Sequence, residues 1–130
     1  MSEYVVDTHA SLFALAAPRK LGRKATRTLR RADERGETVW VPAAVVAEVL
    51  LLRELGRTEI GLPELREAFA TTCWRFLPLD LDQLDEFAAL TRIRDPFDRL
   101  IVAAARRARA KLVSRDRELR ETGLVDIIWS

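Results

Sequence analysis

The chain has 130 residues, of which 48% are hydrophobic and 32% charged, and its net charge is +2. This balance is typical of a globular protein and too apolar for a disordered one. The single cysteine excludes an intramolecular disulfide. No apolar stretch reaches the roughly 18 residues that a membrane helix needs. We therefore expect a single soluble, cytoplasmic domain over residues 1–130.

The first half of the chain alternates β-prone runs with helical segments. Strands are predicted at Tyr4–Val6, Thr38–Val41 and Cys73–Pro78. A first helix is predicted through the apolar Leu12–Leu15, with Thr8 and Ser11 before it as turn or cap residues and Pro18 as its break. Further helices are predicted over Leu21–Arg35 until Gly36, over Ala43–Leu55 with Pro42 at the first helical position, and over Leu62–Thr71. The first half of the chain is thus predicted to contain three strands and four helices.

The second half continues the same alternation. A helix is predicted over Leu81–Thr91, a longer one from Asp95-Pro96 to Ala108, and a short one over Arg117–Glu121. Strands are predicted at Leu112–Ser114 and Leu124–Trp129. Strands that read as nearly continuous apolar runs between helices predict an α/β fold with a mostly parallel sheet covered on both faces.

Two acidic residues follow predicted strands directly. Asp7 comes after the first strand, and Asp116 comes shortly after Val113, with Ser114 between as a possible hydroxyl donor. In an open parallel sheet, ligands bind beyond the carboxyl ends of the strands. Each residue also suits a helix N-cap, and that structural alternative stays open for either one alone.

Glu48 lies within an apolar helical face. Ala44, Val45, Val49 and Leu52 fall on its side of the helix at spacings of three or four residues. An ionised carboxylate in such surroundings needs a partner, either a cation or an arginine such as Arg53. The spacing favours a functional acid.

Asp95 and Asp98 open the longest predicted helix together. Pro96 at the first helical position makes Asp95 the N-cap. Asp98 then shares the face of Ile101 and Val102, which should be buried. Asp98 is therefore the better ligand candidate, and Asp95 the better cap.

The remaining residue types narrow the chemistry. One histidine and one cysteine provide neither a zinc site nor a Cys-His dyad, and His9 is expected to be solvated or locally hydrogen-bonded. Oxygen ligands select a hard cation, Mg²⁺ or Mn²⁺, which suits phosphate-ester hydrolysis. The sequence also contains two runs of basic residues. One comprises Lys20, Lys24, Arg27 and Arg31, and the other comprises Arg106, Arg107, Arg109 and Lys111. Such runs are usually solvated helix faces, but beside a metal site they would form a track for the nucleic-acid backbone.

These segments together resemble a PIN domain of the VapC-like toxins of type II toxin-antitoxin pairs, over essentially the whole chain. The resemblance is carried by Val5-Val6-Asp7-Thr8-His9-Ala10, by Arg94-Asp95-Pro96-Phe97-Asp98-Arg99-Leu100-Ile101, by Leu112-Val113-Ser114-Arg115-Asp116 and by the terminal Ile127-Ile128-Trp129. Each motif alone is weak, but the set is specific.

The resemblance implies a three-layer α/β/α sandwich and a metal-dependent endoribonuclease. By position, Asp7, Glu48, Asp98 and Asp116 match the family's four acids, which would hold Mg²⁺ or Mn²⁺. Thr8, Ser114 and Asp95 would support them. The expected RNA contacts are Arg94, Arg99, Arg115, Lys20 and Lys24. The family also implies a small antitoxin partner and a homodimer.

Two other functional classes compete with this hypothesis. A phosphoacceptor signalling domain would need paired acids after the first strand and a lysine near a late strand, but Val5-Val6-Asp7 offers one acid and Ser114-Arg115 offers no lysine. A non-catalytic module that binds RNA or a partner would keep the acids only as structural residues. The presence of all four acids argues against that loss of activity.

Overall fold

Five parallel strands form the central sheet of the computed structural model, which describes residues 2–130. The strands are β1 (Tyr4–Val6), β2 (Val39–Pro42), β3 (Trp74–Leu77), β4 (Lys111–Val113) and β5 (Ile127–Ile128). Their spatial order is β3-β2-β1-β4-β5, and every pairing is parallel. The α/β fold with a parallel sheet is therefore confirmed, and the sheet is wholly parallel.

Seven α-helices connect the strands in residues 2–130. They are α1 (Thr8–Ala16), α2 (Arg23–Arg35), α3 (Ala43–Glu54), α4 (Leu62–Thr71), α5 (Leu81–Ala89), α6 (Pro96–Ala108) and α7 (Arg117–Thr122), with a 3₁₀ turn at Pro18–Lys20. Strand order runs outward from β1 to β3, then returns to β4 and β5. Because parallel crossovers are right-handed, the two directions place their helices on opposite faces, as an α/β/α sandwich requires.

The core lies between the sheet and these helices. Val5, Val6, Leu112 and Val113 of the two central strands have no exposed surface, and Ile101 of α6 is only 1% exposed. Strands buried on both faces explain the continuous apolar runs of the sequence. The polar groups at the ends of β1 and β4 thereby follow the fully buried residues of two strands in the middle of the sheet.

Helix ends follow the local signals closely. Gly36 and Gly123 adopt left-handed backbone angles, with φ of 68° and 66°, directly after α2 and α7. A residue without Cβ takes this conformation readily, so glycine ends the helix there. Pro96 begins α6, as predicted.

Three local predictions were wrong. Pro42 is the last residue of β2, paired with Leu77, and precedes α3 instead of beginning it. Lys20 lies in the 3₁₀ turn, because Leu21 and Gly22 are extended, so Lys20 does not share a helix face with Lys24. The last strand pairs only through Ile127 and Ile128, against the Leu112 to Val113 segment of β4.

Candidate active site

The site lies where the strand order reverses. β1 and β4 are neighbours, while the chain leaves β1 toward β2 and leaves β4 toward β5. Crossovers in opposite directions open a crevice at the carboxyl ends of such a pair. The backbone N–H of Asp7 donates to the carbonyl of Val113 at 3.2 Å, which fixes the acid at this crevice.

Asp7 combines a structural role with a place at the crevice. Its Oδ1 accepts the N–H of Ala10 at 2.8 Å and caps α1. Only 9% of Asp7 is exposed, and this burial raises the pKa of its carboxyl, with hydrogen bonds from Ser114 and Ala10 and the nearby His9 opposing the effect. Asp7 can therefore cap α1 and still present its carboxylate to the crevice.

Glu48 reaches the same crevice from α3. The buried Thr8 hydroxyl donates a hydrogen bond to Glu48 Oε1. Because Thr8 begins α1 directly after Asp7, this bond ties the first acid to the second. Thr8 thus supports an acid, in the position that the sequence predicted.

Asp95 is the N-cap of α6, as expected, and Asp98 lies in the first turn of that helix. Asp95 Oδ1 accepts the backbone N–H of Asp98 at 3.0 Å and caps α6. Asp98 has a pKa raised from 3.8 to about 7, first by burial and then by the negative charges of Asp95, Asp116, Glu48 and Asp7. The carboxylates are thus close enough to repel one another, which favours either a proton or a cation among them.

Asp116 and Ser114 follow β4. Asp116 Oδ1 accepts the N–H of Leu119 at 3.2 Å and caps α7, and the backbone N–H of Asp116 donates to Ser114 Oγ at 3.0 Å. Ser114 has no exposed surface. Its hydroxyl holds the turn that aims Asp116 at the crevice, beside Asp7.

One cavity of about 400 Å³ brings the four predicted acids together. It is lined by Asp7, Thr8, His9, Glu48, Asp95, Asp98, Arg115 and Asp116. Only Asp7 is buried, however, while Glu48, Asp98 and Asp116 are half-buried. The buried face expected for Asp98 was therefore wrong, and Glu48 on its apolar helix face is also only partly buried, because the crevice opens to solvent.

The donor set suits a hard cation, but the side chains are not closed around one. Carboxylate and hydroxyl oxygens dominate the lining, which is the chemistry that Mg²⁺ and Mn²⁺ prefer. Within residues 2–130, no three acidic, histidine or cysteine side chains are grouped so that they would hold a metal ion as they stand. The metal and catalytic roles of the four acids stay predictions.

The predicted RNA contacts are not all near this cavity. Arg115 lines it, and Arg94 lines an adjoining cavity that also includes Asp98. Lys20 lies beside Phe13, 5.7 Å from the ring centroid, and Lys24 is exposed on α2. Arg99 turns away, since its Nε donates to the Phe87 carbonyl at 2.8 Å and its guanidinium covers that ring at 4.1 Å.

The second basic run lies far from the acids. Arg106 pairs with Glu86 at 3.0 Å and Arg107 with Asp82 at 3.2 Å, both at the last turn of α6. Asp98 is in the first turn of the same helix, and the eight residues from Asp98 to Arg106 advance about 12 Å along the helix axis. This run therefore stabilises the α5 and α6 pair instead of extending the site.

His9 is the cavity residue that the sequence interpretation set aside. It is exposed, lines the cavity, and its ring centroid is 6.2 Å from that of Phe13. Its position in the first turn of α1, two residues after Asp7, is the signal that would have indicated this placement. Its proximity also helps to lower the pKa of Asp7.

No described helix has the length and apolar character required to cross a membrane. Among solved structures, the fold is similar to VapBC2 from Rickettsia felis bound to a promoter DNA fragment, with TM-score 0.73, 14% identity and coverage of 98% of this chain and 99% of that one. It is also similar to FitAcB from Neisseria gonorrhoeae, with TM-score 0.65, 18% identity and 95% coverage of each chain.

A third similar structure is Mycobacterium tuberculosis VapC20, a sarcin-ricin loop cleaving toxin, with TM-score 0.55, 16% identity and coverage of 98% and 99%. At these identities the likeness concerns the fold alone. None of the curated proteins matches the chain by sequence. A family model described as the PIN domain matches residues 4–124. The resemblance noted in the sequence is thereby confirmed, and the chain belongs to the PIN domain family.

Proposed function

We propose that this PIN domain is a VapC-type toxin that hydrolyses RNA at the four-acid cavity with Mg²⁺ or Mn²⁺. The observation that carries the proposal is the shared lining: Asp7, Glu48, Asp98 and Asp116 come from four separate segments, yet all face one cavity. A fold can bear many activities, so the argument depends on this arrangement of side chains.

The acids would serve as the cation's ligands, and the hydroxyls would orient them. Thr8 holds Glu48, and Ser114 holds the turn before Asp116. A bound divalent cation would neutralise phosphate charge and favour ionisation of a water molecule. Because no three of these side chains are yet grouped, the proposal requires them to move inward when the cation binds. Burial contributes most to the raised pKa of Asp98, and the negative charges of the neighbouring acids raise it further; a bound cation would offset that second effect.

Arg115 would contact the substrate backbone. It lines the acid cavity, and its guanidinium carbon is 5.0 Å from the Phe13 ring centroid. A guanidinium held against an aromatic ring keeps its donors directed outward and matches phosphate oxygens in pairs. An RNA backbone is negatively charged, so beside an acidic cavity it requires a positively charged side chain such as Arg115.

A cleavage assay tests the proposal. RNA cleavage that depends on Mg²⁺ or Mn²⁺ is expected in the parent protein and is expected to fall at least about a hundredfold in Asp7→Asn and in Asp98→Asn. The matched control is Asp85→Asn, an exposed acid on α5 outside the cavity. Metal-dependent cleavage that survives both cavity substitutions unchanged would refute the proposal.

A small antitoxin is the proposed protein partner. The support is a toxin-antitoxin complex from Klebsiella pneumoniae that shares the fold, with TM-score 0.65 and 16% identity. We further propose a homodimer in the cytoplasm. Co-purification with the product of an adjacent short reading frame tests the partner, and sedimentation of the isolated protein tests the dimer.

A non-catalytic RNA- or partner-binding module is the second candidate. The observation that favours it is that no three acids are grouped to hold a metal within the described residues. A ligand that binds only the native state raises stability. An unchanged melting temperature at saturating Mn²⁺, together with unimpaired RNA binding, would favour this candidate over the nuclease.

A further inference from the structure

Three adjoining cavities form one groove at the carboxyl edge of the sheet. The acid cavity shares Arg115 and Asp116 with a second cavity of about 410 Å³. It shares Asp95, Asp98 and Asp116 with a third cavity, also of about 410 Å³. Because the acid cavity shares lining residues with both of the other cavities, a chain-like ligand that crosses the acids would extend into the second cavity on one side and into the third on the other.

The second cavity, called the Trp129 cavity below, is basic and aromatic. Arg115, Arg117 and Arg120 line it together with Trp129, and its one acidic wall is Asp116, which it shares with the acid cavity. Within residues 2–130, none of these three arginines forms an ion pair. Arg117 and Arg120 are exposed on consecutive turns of α7, so their donors are available to a ligand.

Backbone contacts hold Trp129 at this cavity. Its carbonyl accepts the N–H of Ala25 at 2.8 Å, which ties the end of β5 to the first turn of α2. A Cβ at Gly22 would lie 2.6 Å from the same carbonyl carbon and closer still to its oxygen, so only glycine allows this approach. The Trp129 ring centroid is 6.3 Å from that of Phe13. Phe13 of α1 and Gly22 before α2 thus lie beside Trp129, which also lines the cavity.

The third cavity differs in chemistry. Its cations are Arg92 and Arg94, it has no aromatic wall, and acids including Glu118 line it. The Nη2 of Arg92 is already 3.4 Å from the Thr122 carbonyl. The groove is therefore asymmetric, since only the end that contains Trp129 offers an aromatic ring on which a nucleobase could stack.

We propose that the Trp129 cavity is a nucleotide subsite, which holds the nucleotide next to the cleaved bond in a single RNA strand. Arg117 and Arg120 bind its phosphate, and Trp129 stacks on its base. The substrate is single-stranded because a paired base has no exposed face for an indole. This inference rests on the proposed nuclease function and assigns it a substrate orientation.

Direct binding tests the arginines without cleavage. A fluorescently labelled single-stranded oligoribonucleotide is titrated into Asp98→Asn protein in EDTA at several salt concentrations. The variant Arg117→Gln/Arg120→Gln is expected to bind about tenfold more weakly, with a salt slope lower by about 0.7 for each phosphate that the protein no longer neutralises. The control Arg35→Gln/Arg66→Gln removes the same charge from exposed positions on α2 and α4 and is expected to leave the slope unchanged.

The indole is tested separately. Trp129→Leu is expected to weaken binding about tenfold, and Trp129→Phe is expected to restore most of the affinity, because a benzene ring still stacks. Equal affinity in Trp129→Leu and Trp129→Phe would overturn the stacking role. An equal loss in both arginine pairs would overturn the subsite, since it would show a response to net charge alone.

The readouts separate this inference from the nuclease proposal. If the parent protein cleaves no RNA while the Trp129 and Arg117/Arg120 variants weaken binding selectively, the nuclease proposal fails together with the placement beside a cleaved bond, while nucleotide binding at the Trp129 cavity stands. If the parent cleaves RNA and both sets of variants bind as it does, the subsite fails alone. Melting curves and the Mn²⁺ response of each variant, expected to match the parent, exclude unfolding as the cause.

Discussion

The Thr8 hydroxyl donates a hydrogen bond to Glu48 Oε1, although the two residues are 40 positions apart in the sequence. Thr8 is 2% exposed and Glu48 is half-buried. The bond joins the first turn of α1, which Asp7 caps, to the middle of α3. It therefore fixes the separation of two acids that the catalytic proposal requires to act together.

Thr8→Val keeps the shape of this side chain and removes the hydrogen bond. We expect the free energy of unfolding to fall by about 1 kcal/mol, because the carboxylate no longer has this buried donor. We also expect weaker Mn²⁺ binding and slower RNA cleavage, since Glu48 is no longer oriented. Titration calorimetry and the cleavage assay measure these effects.

Thr8→Ser provides the rescue, because it restores the hydroxyl. Thr71→Val is the control, since the Thr71 hydroxyl bonds to the Glu67 carbonyl on the exposed side of α4. If Thr8→Val and Thr71→Val affect Mn²⁺ affinity equally, Thr8 has no role in orienting Glu48.

Without a metal ion, stability is expected to depend on pH through Asp98. Folding raises its pKa from 3.8 to about 7, so between these values the native state binds more protons than the unfolded chain. The free energy of unfolding therefore falls as pH rises through this range, and the loss is complete above about pH 7. The raised pKa of Asp7 acts in the same direction.

Urea unfolding in EDTA across this range measures the slope. Asp98→Asn has no proton to lose at this position and is expected to flatten the decline, while Asp85→Asn is expected to preserve it. Saturating Mn²⁺ is expected to raise stability most at the high end of the range, where the carboxylates are ionised. A parent protein whose stability rises steadily from about pH 4 to about pH 7 would contradict this prediction.

Local signals in the sequence determined much of the fold and part of the site. The sequence predicted the end of β1 at Asp7, the Asp95 cap before Pro96, and the end of α2 at Gly36, because each depends on a few adjacent residues. The direction of the Arg99 side chain was not predictable, since it depends on α5 packing beside α6. The Trp129 cavity likewise depends on the approach of Gly22 to Trp129 across the fold.

Arg99 is expected to stabilise the fold and to contribute little to RNA binding. Its Nε donates to the Phe87 carbonyl, and its guanidinium covers the Phe87 ring at 4.1 Å. Arg99→Gln should therefore lower the free energy of unfolding by about 1–2 kcal/mol, because it removes a hydrogen bond and a cation–π interaction. Urea unfolding measures the change.

Arg115→Gln is the matched comparison for Arg99, because Arg115 lines the acid cavity. It is expected to weaken RNA binding several-fold with a smaller effect on stability. Weaker RNA binding in Arg99→Gln than in Arg115→Gln would restore the sequence-based assignment of Arg99 as an RNA contact.

Gly22→Ala is expected to destabilise the protein and to displace Trp129. The added Cβ would lie 2.6 Å from the Trp129 carbonyl carbon and closer still to its oxygen, and backbone atoms cannot rotate away as a flexible side chain does. We expect a loss of about 1–3 kcal/mol in the free energy of unfolding, typical of overpacking, together with a shift of the Trp129 indole N–H resonance.

Gly56→Ala is the control, because Gly56 has φ of 73° with nothing within 4 Å of an added Cβ. Its cost of about 1 kcal/mol comes from backbone strain alone and leaves the indole signal in place. If Gly22→Ala matches the parent in stability and in that resonance, the contact does not position Trp129.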